Sequence, residues 1–357
     1  MHDPLDELDR LARTERRVAQ ATLVDTRGTT PRKEGAKMWV GEAGRLVGSV
    51  TIGGCVDARV VEAAEAALAE GRPRLVAVDM GAEDAWEIGL SCGGTVEVFV
   101  EPIALEPGSP TLDLTRRLRA NTEAGGRAAL VTSLDGGGRF LLYEDGRREG
   151  SLGDPALDAA AVPVAADLLR RGASRTIDLG AGRRVFVESH GPRATLVIVG
   201  ATHVGVPLTS LARVMGFRTV VVDARPRFAT RERFPDADEI RIGIPSEIVA
   251  GMPLTPSTAL VLLAHDYKFE RPVLAHALGT EVGYIGMLGS RRRGAAVKRL
   301  LEEAGVAPAA LERIRVPIGL ALGGDSAAEI ALAILAEIQA SRTGASARPL
   351  ASVGAGR

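Results

Sequence analysis

The chain has 357 residues, long for one domain and enough for two. Apolar residues make up 46% and charged residues 25%, a globular balance that excludes an extended disordered polymer. The formal charge is −1, so no overall basic field points to nucleic acid or an anionic membrane surface as the partner. The acidic N-terminal stretch MHDPLDELDR lacks the apolar core of a signal peptide, and apolar runs such as ALVLLA (259–264) fall far short of a bilayer span. Cys55 and Cys92 are the two cysteines and neither sits in a C-x-x-C pair, which suits a reducing, cytoplasmic setting.

In chain order, Leu5, Leu8 and Leu11 predict a first helix, and 17–28 reads as a strand closing on turn residues. KMWV and RLVGSV read as short strands around the turn GEAG at 41–44, followed by a helix over 56–70 that stops at Gly71 and Pro73. Strands are expected at 74–80 and 95–102, with the glycine loop GLSCGG (89–94) between them. After the punctuation EPGSP, the pattern gives a helix near 110–124, the strands RAALVTSL and RFLLYE around DGGG, a helix near 155–171 and the strand RRVFVES. No internal repeat is evident. The stretch HGPR (190–193) marks a boundary, so residues 1–190 are read as a mixed α/β domain and 191–340 as a second domain.

From Thr195 the strands TLVIV, FRTVVV, EIRI, TALVLLA and GYIGML alternate with helices, the spacing of a doubly wound parallel sheet, Rossmann-like in order. A final helix over 326–340 opens with the capping box Ser326–Glu329, and 341–357 reads as a disordered tail.

In the second half, GATHVG places Gly200 and Gly205 at the outer positions of a nucleotide-type turn, with Asp223 closing the next strand. Thr202 stands where a dinucleotide turn has its middle glycine, so ordinary NAD binding is expected to be weak. His203, His265 with Asp266, and Ser290 with Arg291 all follow strand C-termini. Singly each reads as a cap or a solvated helix start; as a set they read as a ligand crevice.

In the first half, Cys55 stands at a helix N-terminus behind Gly53 and Gly54, where exposed amides and the helix dipole favour an anion and lower a thiol pKa. Arg32, Lys33, Lys37 and Arg59 are cations placed to join them around a phosphate. Cys55 reads equally as a poised thiolate or as small packing, and Cys92, in a second glycine loop, reads first as structural.

RGTTPRKEGAKMWV, GSVTIGGCVDARVVEAA and GLSCGGTVEVFVEP resemble the N-terminal signature of the XdhC/CoxI family. VIVGATHVGVPL, VVDARPRFATRERFPDAD, HDYKFERPVLAHAL, YIGMLGSRRR and PIGLALGGDSAAEIALAILAEI resemble its C-terminal Rossmann domain, so the likeness runs from about 15 to 340. The chain departs from the family pattern at Thr51 and Ile52, at Asp57, at Thr202 and at Ala321. The resemblance implies an accessory chaperone without turnover of its own. It would bind molybdenum cofactor, support its sulfuration and insert it into a molybdenum hydroxylase of the xanthine dehydrogenase or carbon monoxide dehydrogenase type. A cysteine desulfurase is an implied partner, and a homodimer the expected state. It also implies that Cys55 sits at the cofactor's metal. The candidate cofactor-binding set is thus Gly53, Gly54, Cys55, Arg32, Lys33 and Cys92, with Gly200, His203, Gly205, Asp223, His265 and Arg291 in the crevice, where a nucleotide is a further candidate ligand. The alternatives are an NAD(P)-dependent oxidoreductase and a nucleotide-binding regulatory module.

Overall fold

A computed structural model describes residues 4–28, 32–51, 54–79, 94–264 and 266–352. The chain divides between Pro192 and Arg193 into two compact units.

The first unit opens with α1 (Pro4–Leu11) and the strands β1 (Arg17–Gly28), β2 (Lys37–Gly41) and β3 (Leu46–Gly48). They lead to α2 (Cys55–Glu70), β4 (Arg74–Asp79) and β5 (Gly94–Ala104). Next come α3 (Pro110–Glu123), β6 (Ala128–Ser133), β7 (Arg139–Tyr143) and β8 (Arg148–Ser151). The unit closes with α4 (Pro155–Arg171), β9 (Arg175–Asp178) and β10 (Arg184–His190). The strands form two antiparallel sheets, ordered β3-β2-β1-β5-β4 and β8-β7-β6-β10-β9.

Those two orders are the same, and each sheet has one helix between its third and fourth strands in sequence. The unit is therefore two copies of one module, which corrects the sequence expectation of no repeat. The copies agree in detail. Val56, Val60, Ala64 and Ala67 line one face of α2 and bury it on the first sheet. Leu157, Ala161, Ala165 and Leu168 do the same for α4 on the second. The period of four residues is that of a helix with one apolar stripe, and each fully buried Val or Leu on it contributes about 1.5–3 kcal/mol. Gly71 and Gly172 close the two helices in the left-handed conformation, at φ 67° and 64°. Two strands explain why the repeat does not show in the sequence: β8 (REGS) and β9 (RTID) are short and carry no apolar alternation.

Register fixes which residues correspond. Thr22 faces Lys37 on one side and Phe99 on the other. Thr132 likewise faces Arg139 and Phe186. Two residues beyond each phenylalanine stand Glu101 and Glu188, and two before it Glu97 and Arg184. Contacts between the copies are reciprocal on this numbering. Lys37 Nζ meets Glu188 at 2.8 Å, and Arg139 pairs with Glu101. Glu97 and Arg184, themselves counterparts, pair with each other. Phe99, Phe186, Val24 and Leu134 fill the apolar centre between them. A self-complementary interface of this kind is what a two-fold dimer has, here joined in one chain through α3.

The second unit carries β11 (Thr195–Val199), α5 (Gly205–Val214), β12 (Arg218–Asp223), β13 (Glu239–Ile242) and α6 (Pro245–Ala250). It continues through β14 (Thr258–Leu262), α7 (Tyr267–Leu278), β15 (Tyr284–Met287) and α8 (Arg291–Glu303). The last elements are α9 (Pro308–Leu311), β16 (Ile314–Arg315) and α10 (Ala327–Thr343). All its strand pairs are parallel, in the order β13-β12-β11-β14-β15-β16. One face buries Val249, Leu274 and Leu301 from α6, α7 and α8; the other buries Leu208, Ile334 and Ile338 from α5 and α10. This is the doubly wound fold expected. The capping box at Ser326 and Glu329 is formed, and α10 runs three residues beyond its expected end before Gly344 stops it at φ 65°. Among the described residues no helix is long and apolar enough to cross a membrane.

Candidate functional site

The first candidate region is the entrance of α2. The helix begins at Cys55, one residue earlier than the spacing predicts, and Gly54 is its N-cap. At φ 89° and ψ −154° Gly54 holds a conformation open to glycine alone, and it offers no side chain to the first turn. Space is free where a Cβ would stand. The turn before it is fixed from behind: Asp57 accepts hydrogen bonds from the Ser49 hydroxyl at 2.5 Å and from the Thr51 amide and hydroxyl at 3.2 and 2.9 Å. Arg32 Nη1 donates to the Ser49 carbonyl at 2.6 Å, which ties this candidate to the same turn. Lys33 and Arg59 are exposed.

The counterpart entrance, at α4, differs at one point. Asp158 holds Ser151 and Leu152 as Asp57 holds Ser49 and Thr51, at 2.8 Å in both bonds. The N-cap, however, is Asp154, and its carboxylate accepts from the Ala156 amide at 2.9 Å. One copy thus closes its helix entrance with its own carboxylate. The other leaves that place to glycine and puts a cysteine at the first helical position.

Lys37 is not part of this entrance, against the sequence expectation. Its side chain is 7% exposed and its ammonium is spent on Glu188 and on the Thr22 hydroxyl. Gly53, Cys92 and His265 lie outside the described residues.

The second candidate region is the crevice at the C-terminal ends of β11, β12 and β14, where the sheet order reverses. It encloses about 320 Å³ and is lined by Gly200, Thr202, Asp223, Arg225, Asp266 and Phe269 among others. Gly200 is required there: φ is 108° and a Cβ would stand 2.6 Å from the Ala264 amide nitrogen. Gly205 opens α5 against Phe234. Of the predicted crevice residues, Gly200, Asp223 and Asp266 come together. His203 is exposed on the turn, Ser290 caps α8 by accepting from the Arg293 amide, and Arg291 is exposed at the start of that helix; none of the three lines the crevice.

Sequence reasoning missed Arg225, which holds Asp223 through Nε at 2.9 Å and Nη2 at 2.8 Å. Burial works to raise the Asp223 pKa, but the hydrogen bonds from Arg225 and from the Ala201 and Arg225 amides outweigh it, so the carboxyl lies below its ordinary value. It also missed Glu270 in α7, which is fully buried and pairs with Arg293. Glu270 Oε1 meets no hydrogen-bond partner among the described residues, and burial pushes this carboxyl up despite Arg293. A glutamate in the first turn of an amphipathic helix gives no sequence sign of such burial.

Comparison with known proteins meets this geometry in both halves. The model described as XdhC and CoxI family matches residues 11–79, and that described as XdhC Rossmann domain matches 196–338. The chain belongs to the XdhC and CoxI family. Within that family it is 29% identical over 333 residues to a probable subunit of xanthine dehydrogenase from Bacillus subtilis (strain 168), across 93% of this chain and 95% of that one. It is 28% identical over 323 residues to the molybdenum cofactor insertion chaperone PaoD of Escherichia coli (strain K12), across 90% and 82%. A crystal structure described as a xanthine dehydrogenase from Bacillus halodurans has the same fold, with a TM-score of 0.78 and 27% identity over 99% of this chain and 98% of that one. The XdhC and CoxI match covers the first module from β1 through β4, with the open entrance, and the XdhC Rossmann match covers the crevice. The second module lies between the two matches.

Proposed function

We propose that the protein is a maturation chaperone that binds molybdenum cofactor as cargo, supports its sulfuration and delivers it to a molybdenum hydroxylase of the xanthine dehydrogenase or carbon monoxide dehydrogenase type. One geometric observation carries the reading: of two equivalent helix entrances, the Cys55 entrance alone lacks a side-chain cap. An uncapped helix start suits an anionic group of the cargo, and a thiolate beside it suits a soft metal–sulfur centre. The similarity to a relative named as a molybdenum cofactor insertion chaperone supports the same role. The apo-hydroxylase and a cysteine desulfurase are the partners this role requires. The oxidoreductase alternative is weaker in its NAD-dependent form, because the acid that would read the ribose diol of NAD, Asp223, is already engaged.

The test is molybdenum and pterin content of wild type and Cys55→Ala after co-expression with the cofactor pathway, before and after mixing with apo-hydroxylase. The expected result is cofactor retained by wild type, transferred to the apoenzyme, and depleted in Cys55→Ala. Equal content in both proteins removes Cys55 from the site. Cofactor that never transfers rejects the delivery role.

A further inference from the structure

We infer that the Rossmann crevice reads a phosphate ester through Arg225, in place of the ribose diol that Asp223 would read in a dinucleotide site. This deepens the reading of the crevice as a ligand site and rests on it.

A carboxylate offers about four lone-pair sites. Asp223 fills four: Oδ1 accepts from the Arg225 amide at 2.8 Å and from Arg225 Nε at 2.9 Å, and Oδ2 accepts from the Ala201 amide at 2.7 Å and from Arg225 Nη2 at 2.8 Å. A ribose diol would find no acceptor there. One of the turn's own amides, that of Ala201, is also spent on Asp223 rather than kept for a pyrophosphate. Thr202 adds a side chain to the turn, and its Oγ1 is buried beside the crevice with no hydrogen-bond partner among the described residues.

Arg225 is arranged the opposite way. Nε and Nη2 are fixed on Asp223, and the guanidinium carbon lies 4.4 Å from the centre of the Phe228 ring. Nη1 makes no hydrogen bond among the described residues, and the side chain is 55% exposed while lining the crevice. A guanidinium held on two sides and open on the third is preorganised for a phosphate oxygen. Among the described residues, the remaining charged group of the crevice is Asp266, an exposed carboxylate whose Oδ1 accepts from the Lys268 amide at 2.9 Å. It repels an anion and accepts from a donor. The ligand class is therefore a phosphate ester whose neighbouring atoms carry hydroxyl or amino donors. Two sources share that chemistry: a phosphorylated ribose on a nucleotide, and the phosphate-terminated side chain of a pterin.

The experiment titrates the full chain with NADPH, NADH and molybdopterin separately, in wild type, Arg225→Gln, Arg225→Lys and Asp223→Asn, with thermal unfolding to establish that each variant folds. The expected result is that NADPH or molybdopterin binds wild type and loses about tenfold or more in affinity in Arg225→Gln, the scale of one charge-assisted hydrogen bond. Arg225→Lys keeps part of that affinity, because it keeps the charge and loses the fork. NADH, without the ribose 2′-phosphate, binds more weakly than NADPH where NADPH is the ligand. A loss confined to NADPH assigns the nucleotide source, and one confined to molybdopterin assigns the pterin. Unchanged affinity in Arg225→Gln, absence of binding by both NADPH and molybdopterin, or NADH binding that depends on Asp223 and not on Arg225 would each overturn the inference. Failure of cofactor delivery is read separately, in the Cys55→Ala transfer experiment, and leaves the NADPH against NADH comparison standing.

Discussion

Lys37 and Arg139 hold the same register position in the two copies of one module, and each is paired with the glutamate of the other copy. Taking cations and carboxylates out of water costs several kcal/mol per ion, which only close partners recover. The two copies thus meet through these two related ion pairs and the Glu97–Arg184 pair around a small apolar centre. Reciprocity also matches each copy to its counterpart and not to a shifted register, since a slip would leave buried charges facing apolar side chains.

Removal of one partner from the more buried pair should be expensive. In Glu188→Ala, the Lys37 ammonium stays buried with the Thr22 hydroxyl as its remaining acceptor among the described residues, and the expected loss is about 3–5 kcal/mol. Exchanging the charges, as Lys37→Glu with Glu188→Lys, should recover part of that loss, because the pair is local and enclosed. Urea unfolding of the full chain measures both. A single variant within about 0.5 kcal/mol of wild type, the range of an ordinary surface substitution, would show that the pair is not structural.

Much of the second unit was legible in the sequence, because a parallel sheet buried on both faces writes itself as apolar runs such as TLVIV and TALVL. The capping box at Ser326 was legible for a similar reason: its chemistry is complete within four residues. The duplication was not. Its evidence lies in register and in partners far apart in sequence, such as Thr22 with Lys37 and Lys37 with Glu188. A lysine with no such partner in view reads as solvent-facing, which is why the sequence alone puts Lys37 at a phosphate. Asp223 was found by its position, but its engagement depends on Arg225, which reads as one of several arginines in a loop.

Asp223 should shape the acid limb of stability. Its folded pKa is depressed, because the hydrogen bonds it accepts outweigh burial. The unfolded chain therefore binds its proton first as pH falls, and the stability it contributes is present above the ordinary carboxylate range and lost as pH falls through the folded value. Asp223→Asn should flatten the dependence below about pH 4, the ordinary value of an aspartate. Urea midpoints at several acidic pH values provide the check, and parallel curves for the two proteins would refute it.

Glu270 should act with the opposite sign. Burial raises its folded pKa, with Arg293 opposing. The folded chain then holds the proton more firmly than the unfolded one. Its contribution is present below the ordinary carboxylate range and is lost as pH rises through that range to the folded value. Glu270→Gln keeps the shape and the acceptor for Arg293 while removing the titration. The variant should therefore gain on wild type between acid and neutral pH. If the difference between the two proteins does not change with pH, the carboxyl does not titrate differently on folding.

The two helix entrances predict different responses to loss of the Asp154 cap. Asp154→Ala removes the bond to the Ala156 amide and should cost about 1 kcal/mol. Cofactor content should not change, because that entrance is the closed one. Equal loss of cofactor in Asp154→Ala and Cys55→Ala would mean that the reading of one open and one closed copy is wrong.

The Cys55 thiol should be more acidic than that of a free cysteine. Cys55 is the first residue of a helix of 16 residues, and Gly54 supplies no side-chain cap. The partial positive charge of the helix start therefore faces that position without a competing side-chain acceptor at the cap. Asp57 lies in the same turn and carries negative charge, but its oxygens are turned to Ser49 and Thr51, which share that charge through three hydrogen bonds. The balance favours a thiolate, so Cys55 should titrate below the value of about 8.5 of a free cysteine. Alkylation rate against pH in Cys92→Ala, where Cys55 is the remaining thiol, gives the value directly. Gly54→Ala would strain the entrance at φ 89° and is a poor control. Cys55→Ser is better, since it keeps the size and the helix start while replacing a soft ligand by a hard one. If Cys55 titrates as a free cysteine while Cys55→Ser retains cofactor like wild type, the helix entrance binds its cargo without the thiol, and metal ligation by Cys55 is excluded.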